Sequence, residues 1–319
     1  PFTMDENDDN LCYMAAGNKL WRNDNLSSVP YNDDHNRNNI GWSTYTDGAF
    51  SSSMDITCIS TSVNPPNILY YGTDSKYIHR VDGANTGDPA HVPITNIPTG
   101  TGVHCAAIAI HPNNPDIIMV VFSNYSTYSL FYSEDAGANW EKVAGNLEEN
   151  PSGSGNGPSC RTAQILDFGN STLYVVGTSV GLFATDNLDG QNTIWEMIGK
   201  DEIGNVIIEQ IDYRHSDGRF TVATYGRGVF QTTINSIDDV LSTNDLIRTE
   251  LNIYPNPASE KINVEFSSIN SEKVKYTIYN EVGSVVKSNT ENINVGLKNL
   301  VINVGSLKSG LYFVSLELK

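Results

Sequence analysis

Short runs of β-branched, aromatic and other apolar residues alternate along the first three quarters of the chain with clusters of Asn, Asp, Gly and Pro. This is the pattern of strands joined by tight turns, not of amphipathic helices. The runs also repeat. His104–Pro112 followed by Asp116–Val121 registers without a gap on Ser159–Ile165 followed by Thr172–Val176, with Cys105 falling on Cys160. Further copies read Thr57–Ser60 to Pro65 with Asn67–Thr73, and Ile208–Tyr213 with Arg219–Thr224. The opening Pro1–Asp5 and Leu11–Ala16 read as the end of one more copy.

Each copy holds four strands, placed in the Cys105 copy at about Val103–Ile110, Ile117–Phe122, Ser129–Ser133 and Trp140–Ala144. A unit of about 50 residues with four strands suits one blade of a β-propeller, in which radial stacking buries both faces of every sheet. The last copy stops after Gly228–Ile234, three strands in. Closed propellers commonly complete a blade with a strand from the other end of the chain. The expectation is therefore an all-β chain whose residues 1–235 form an incomplete, N-terminally truncated propeller of about five blades, an open arc of a larger ring.

Residues 236–250 are polar and acidic apart from Val240-Leu241 and Leu246-Ile247, and read as a linker. Residues 251–319 return to strand patterning, with period-two alternation in Lys261–Phe266 and a hairpin of Val274–Asn280 and Val285–Lys287 turning at Gly283. Leu300–Val304 and Leu311–Leu318 supply later strands of an immunoglobulin-like β-sandwich, with Leu311 and Phe313 expected on its core side.

Composition narrows the function classes. A hydrophobic content of 39% describes an ordinary globular core, and 19 Lys and Arg against 37 Asp and Glu give a net charge of −18. Such a surface repels phosphate backbones and anionic membranes, so nucleic acid is not expected as a partner. No run of about eighteen apolar residues suggests a membrane-spanning helix. The start, Pro1–Asp5, has neither an initiator Met nor a signal peptide, and suggests that the true N-terminus lies upstream.

The four cysteines, Cys12, Cys58, Cys105 and Cys160, lack CxxC spacing. Cys58, Cys105 and Cys160 occupy one slot in successive copies, on the strand nearest the channel, where small packing residues are favoured over a thiol cluster. The histidines show no HxH or HExxH spacing, and Asp5–Asn10 lacks the full EF-hand pattern, so no metal or cofactor is expected.

Between the third and fourth strands of the Cys105 copy, Ser133, Asp135, Gly137 and Trp140 form the pattern S-x-D-x-G-x-x-W. Ser133 and Asp135 can hydrogen-bond the amides of their own turn, Gly137 allows a positive φ, and Trp140 can bury its ring beside the neighbouring strand. A worn copy keeps Thr185-Asp186, Asp189-Gly190 and Trp195. With Thr224–Phe230, the segment resembles the Asp-box (BNR) propellers of sialidases, xyloglucanases and the sortilin ectodomain. In those families the Asp-box is structural, so the resemblance implies fold and assigns no catalytic residue.

A sialidase would need an arginine cluster with a tyrosine nucleophile, and no arginine here sits in the Phe-Arg-Ile-Pro context. A xyloglucanase would need two carboxylates facing across a cleft. Asp47, Asp55, Asp74, Asp82 and Asp167 are the candidates, most of them read as turn residues.

Three ordered motifs close the chain: Tyr254-Pro255-Asn256-Pro257, then Asn280–Gly283, then Leu307–Val314 with Gly310 and Tyr312, ending at Lys319. Together they resemble the type A C-terminal sorting domain of Bacteroidetes. That resemblance implies recognition by the type IX secretion translocon, proteolytic removal of the domain, and release or attachment at the outer-membrane surface after periplasmic transit. The leading expectation is an exported propeller that binds a glycan or protein, using aromatic platforms such as Tyr45, Tyr77, Tyr125 or Tyr128. The alternatives are a polysaccharide hydrolase of the xyloglucanase type, or an auxiliary domain of a larger peptidase or adhesin.

Overall fold

Each sequence copy folds into its own antiparallel sheet in the computed structural model, which describes residues 1–29, 40–46, 54–100, 102–241, 252–268, 272–293 and 296–318. The first sheet comprises β1 (Phe2–Asp5), β2 (Asp8–Ala16), β3 (Lys19–Asn23) and β4 (Trp42–Thr44). The second comprises β5 (Ile56–Thr61), β6 (Ile68–Thr73), β7 (Ile78–Asp82) and β8 (His91–Ile94). The third follows with β9 (Cys105–His111), β10 (Asn114–Phe122), β11 (Leu130–Ser133) and β12 (Glu141–Lys142). The fourth holds β13 (Cys160–Asp167), β14 (Thr172–Thr178), β15 (Gly181–Thr185) and β16 (Glu196–Ile198). The fifth has three strands, β17 (Ile208–Arg214), β18 (Arg219–Thr224) and β19 (Gly228–Thr233).

Strand order within each sheet follows the chain, and the first strands pack side by side from β1 through β5, β9 and β13 to β17. They form the inner wall of a five-bladed propeller arc. The second strands are sandwiched between neighbouring blades, so β6 is buried at every position and β10 from Ile118 to Phe122. Burial on both faces explains why these strands read as continuous apolar runs instead of alternating ones. Three side-chain clusters fill the interfaces: Leu11, Tyr13, Leu69 and Tyr71 between the first two blades, Met119, Phe122 and Phe131 in the middle, and Leu173, Ile208, Phe220 and Val222 towards the last.

The opening of the chain departs from its sequence reading. Pro1–Asp5 and Leu11–Ala16 are not the end of a copy; they supply the first two strands of a complete four-stranded blade. β1 is only four residues long and its one buried position is Asp5, so it lacks the apolar core face of an inner strand, and a long insertion before Trp42 hides the period. Ile237, Val240 and Leu241, placed by sequence in the linker, are half-buried against the last blades, with α1 (Asp238–Leu241) between them. The Asp239 carboxylate accepts the amides of Asn235 and Ser236 at 2.7 and 3.0 Å, which starts this turn.

The S-x-D-x-G-x-x-W turn joins β11 to β12. Ser133 Oγ accepts the Gly137 amide at 2.9 Å and donates to Asp135 Oδ1 at 2.8 Å, while Asp135 accepts the amide and side chain of Asn139. Those bonds hold the Asp135 carboxyl below its ordinary value. Gly137 has φ +87°, and a Cβ there would meet Ile94 Cγ2 of the preceding blade at 2.6 Å. The turn is thus wedged against its neighbour: the Ser133 and Asp135 side chains bond within it, while Asn96 of the preceding blade donates to the Ala138 carbonyl and accepts from Trp140 Nε1.

His79 on β7 is 8% exposed and stacks on Tyr71 with ring centroids 4.9 Å apart. Burial, aided by the charge of His91, lowers its pKa from 6.5 to about 4. The folded state therefore binds this proton less readily than the unfolded chain, and the stability linked to neutral His79 is lost as the pH falls below 6.5. Urea titrations between pH 7 and pH 4 should show wild type losing up to about 3 kcal/mol more than His79→Phe. Equal losses in the two proteins would refute the assignment.

Residues 243–319 form a second compact unit. One of its sheets has the order β20 (Asn252–Tyr254), β21 (Lys261–Ser268), β24 (Gly296–Asn303). The other is ordered β23 (Val285–Ile293), β22 (Glu272–Asn280), β25 (Tyr312–Leu318). Ile262, Val264 and Phe266 from the first sheet meet Val274, Tyr276 and Ile278 from the second in one buried core. The phase of β25 is opposite to the sequence expectation. Its pairing sets Val314 opposite Ile278 and Leu316 opposite Tyr276, so Tyr312, Val314 and Leu316 face the core while Leu311 and Phe313 are 64% and 57% exposed.

Candidate functional site

The inner strands of all five blades line a central cavity of about 620 Å³. Its last-blade wall follows directly from the alternation in β17, where Ile211 and Tyr213 are buried and Glu209, Asp212 and Arg214 are exposed to the cavity. Arg161 and Gln164 of β13 stand beside them, with Arg161 Nη2 3.6 Å from Glu209. Hydroxyls of Thr57 and Ser60 donate across the blade interface to the carbonyls of Cys105 and Ile108. Side chains thus tie the bare inner edge of one blade to the next.

Where the inner strands end, ionisable groups from four blades form a rim. His111 Nε2 lies 3.9 Å from Asp167 Oδ2, and His215 Nδ1 lies 3.2 Å from Glu6 Oε2. The second contact bridges the first and last blades, and no packing comparable to that of the other inner strands joins β17 to β1 among the described residues. The expected open arc thus has its two ends bridged at one point. Burial lowers the His111 pKa. Burial alone would raise Asp167, but hydrogen bonds from Asn113 and Gly169 and the charges of His111 and His215 bring it below the ordinary value. Asp212 is raised by burial and by the charge of Glu6, and Asp5 by burial.

The carboxylates singled out from the sequence do not converge on this cavity. Beside their strands the Asp55 amide donates to Asp74 Oδ1 and the Asp74 amide to the Asp55 carbonyl, Asp82 pairs with Arg80 at 2.8 Å, and Asp167 receives the turn amide of Gly169. Asp47 lies outside the described residues. Asp5 and Glu6 of the first blade line the cavity, as do Glu209 and Asp212 of the last; Glu209 and Asp212 were missed because nothing in a strand's sequence says which blade its polar face will meet. Their alternation with Ile211 and Tyr213 is the signal that could have found them.

Two of the proposed aromatic platforms have their hydroxyls bonded to backbone inside the fold. Tyr128 is buried, accepting the Ala144 amide at 3.1 Å beneath Lys142, and Tyr45 donates to the Ala84 carbonyl. Tyr77 is half-buried and Tyr125 exposed; Tyr225, which the sequence reading passed over, is exposed as well. All three lie on loops joining second to third strands, at the end of the propeller opposite the ionisable rim.

In the second unit the three motifs gather at one end of the sandwich. Pro255, Asn256 and Pro257 are exposed in the turn entering β21. Gly283, at φ +79°, closes the β22–β23 turn, where Asn280 Oδ1 accepts the amides of Val282 and Ser284. Asn280 pairs with Tyr312, which sets the Gly283 turn beside Gly310, and Tyr312 donates to the Lys308 carbonyl at 2.9 Å. The 304–310 loop reaches back to the turn that follows the first motif through amides of Val304 and Gly305 on the Glu260 carbonyl. Val282, Val285, Leu311 and Phe313 are exposed around this end. Lys319 lies outside the described residues.

Residues 252–319 match the family of secretion system C-terminal sorting domains. This unit is a type IX sorting domain. A sorting domain of this kind marks a secreted protein, destined for the cell surface or the medium. No helix among the described residues is long and apolar enough to cross a membrane.

No curated protein sequence matches the chain. Among solved structures, a GH74 enzyme from Niastella koreensis has a TM-score of 0.50 at 14% identity, covering 99% of this chain and 44% of that one. The GH74 xyloglucanase of Xanthomonas campestris aligns over 94% of this chain and 44% of its own, at 13% identity and a TM-score of 0.45. Raptor of Chaetomium thermophilum follows at 10% identity and a TM-score of 0.49, covering 92% of this chain and 24% of its own. The chain therefore spans less than half the length of each of these structures. The Niastella likeness supports the propeller-like, all-β fold and carries nothing about activity.

Proposed function

We propose that the protein is delivered by the type IX machinery to the cell surface, where its propeller binds a glycan through the central cavity. The carrying observation is a sorting domain attached to a propeller whose cavity wall presents Arg161, Gln164, Glu209, Gln210 and Asp212 together. Carboxylate, amide and guanidinium groups in one concave wall supply the donors and acceptors that a polyhydroxylated chain requires. Titration calorimetry with soluble plant and bacterial polysaccharides tests this reading, and absence of heat with all of them counts against it.

Recognition by the secretion machinery is assigned to the exposed apolar end of the sorting domain. Leu311 and Phe313 lie outside the core, so replacing both with serine should leave the melting temperature unchanged while the protein accumulates in the periplasm. Normal delivery of the double variant would exclude this face.

A second reading, hydrolysis of the bound glycan, rests on Asp212. Burial and the nearby Glu6 favour its protonated form, as a general acid beside a second carboxylate requires. Under it, wild type releases reducing ends from a β-glucan and Asp212→Asn does so at least about 100-fold more slowly. Binding without cleavage by wild type rejects hydrolysis.

A further inference from the structure

Cys58 and Cys105 stand near the starts of the neighbouring inner strands β5 and β9 and meet across the interface of the second and third blades. Both are buried, and their Sγ atoms lie 3.5 Å apart. Gly72, paired with Cys58 in the adjacent strand, leaves the space they share. A Cβ at position 72 would lie 2.3 Å from Cys105 Sγ and 2.9 Å from Cys58 Sγ. The Thr57 hydroxyl, bonded to the Cys105 carbonyl at 2.5 Å, holds the two backbones in this register. A disulfide requires sulfurs about 2.05 Å apart, so about 1.5 Å separates the present thiol contact from a bond.

We infer that Cys58 and Cys105 form an inter-blade disulfide once the chain meets a disulfide donor outside the cytoplasm. The pairing rests on the thiol geometry, and only the choice of compartment rests on the export reading. In the reaction one cysteine, as thiolate, attacks the donor R–S–S–R′, forming a mixed disulfide and releasing one donor thiolate. The second cysteine, also as thiolate, then displaces the other donor sulfur. Two electrons pass to the donor, two protons leave the cysteines, and one protein disulfide replaces the donor's. Burial raises the Cys105 thiol well above its ordinary value, so exchange is slow in the docked blades and belongs to the stage when they assemble. Cys12 and Cys160 serve as internal controls. Cys12 contacts the Tyr13 carbonyl, and burial pushes the Cys160 thiol up to about 12 beside Ser129.

The test is to refold the reduced full chain in a buffer of oxidised and reduced glutathione, quench with acid, and alkylate in denaturant with N-ethylmaleimide. Intact mass should show two adducts, and digestion a linked peptide joining Cys58 to Cys105. Reduction should then lower the melting temperature of wild type by about 5 °C or more and leave Cys58→Ser unmoved. Four adducts on folded wild type, or a link between any other pair, would overturn the assignment. Protein recovered from a type IX-competent host addresses the compartment separately. Two adducts there support it, and four adducts beside a positive refolding result refute closure during export. Failure to reach the surface would count against the export reading, leaving the refolding result to decide the pair.

Discussion

Protein lacking Gly310–Lys319 should remain in the periplasm of a type IX-competent host. β25 pairs with β22 from Val274–Leu318 to Asn280–Tyr312, and it covers the core with Tyr312, Val314 and Leu316. Each apolar side chain returned to water costs about 1.5–3 kcal/mol, and the uncovered faces of Val274, Tyr276 and Ile278 add to that loss. A core of this size holds only about 3–5 kcal/mol in total, so the truncated unit should not fold. It would also expose β22 as a new sheet edge. Fractionation with surface protease accessibility checks the outcome, and surface delivery of the truncated protein would refute the role given to the strand.

Trp195→Ala should destabilise the propeller by about 3–5 kcal/mol, more than Trp140→Ala, although Trp140 belongs to the intact Asp-box and Trp195 to the worn one. Trp195 is 2% exposed and its Nε1 donates to the Val143 carbonyl of the preceding blade at 2.9 Å. Its backbone amide donates to Asn146 Oδ1 at 2.7 Å, and its carbonyl accepts the Asn146 side-chain amide. Trp140 is only half-buried, with a longer 3.3 Å bond to Asn96. Removing Trp195 leaves a ring-sized void and an unpaired carbonyl between two blades. Chemical denaturation of the two variants decides the order, and a smaller loss at Trp195 would mean that completeness of the motif, not burial, sets the energetics.

Blade architecture was legible because the second strands of the central blades, β6 and β10, are buried on both faces and so read as uninterrupted apolar runs, as in Ile118–Phe122. The first blade was not, since the buried position of β1 is the polar Asp5 and an insertion precedes Trp42. Strand β25 shows a different limit. Leu311 and Phe313 are as apolar as Tyr312, Val314 and Leu316, so both phases of the alternation fit, and only pairing with β22 separates them. Tyr45 and Tyr128 looked like surface platforms, yet their hydroxyls find buried backbone partners that sequence cannot reveal. The cavity wall escaped for the same reason: Arg161 and Glu209 are far apart in the chain and meet only when the blades stack.

The most direct test of export is to fuse residues 243–319, which form a compact unit with its own core, behind a fluorescent reporter carrying a periplasmic signal. In a type IX-competent host the reporter should appear at the cell surface or in the medium, and deletion of the host's type IX translocon should retain it in the periplasm. Retention of the fusion in the periplasm of the competent host would contradict the account.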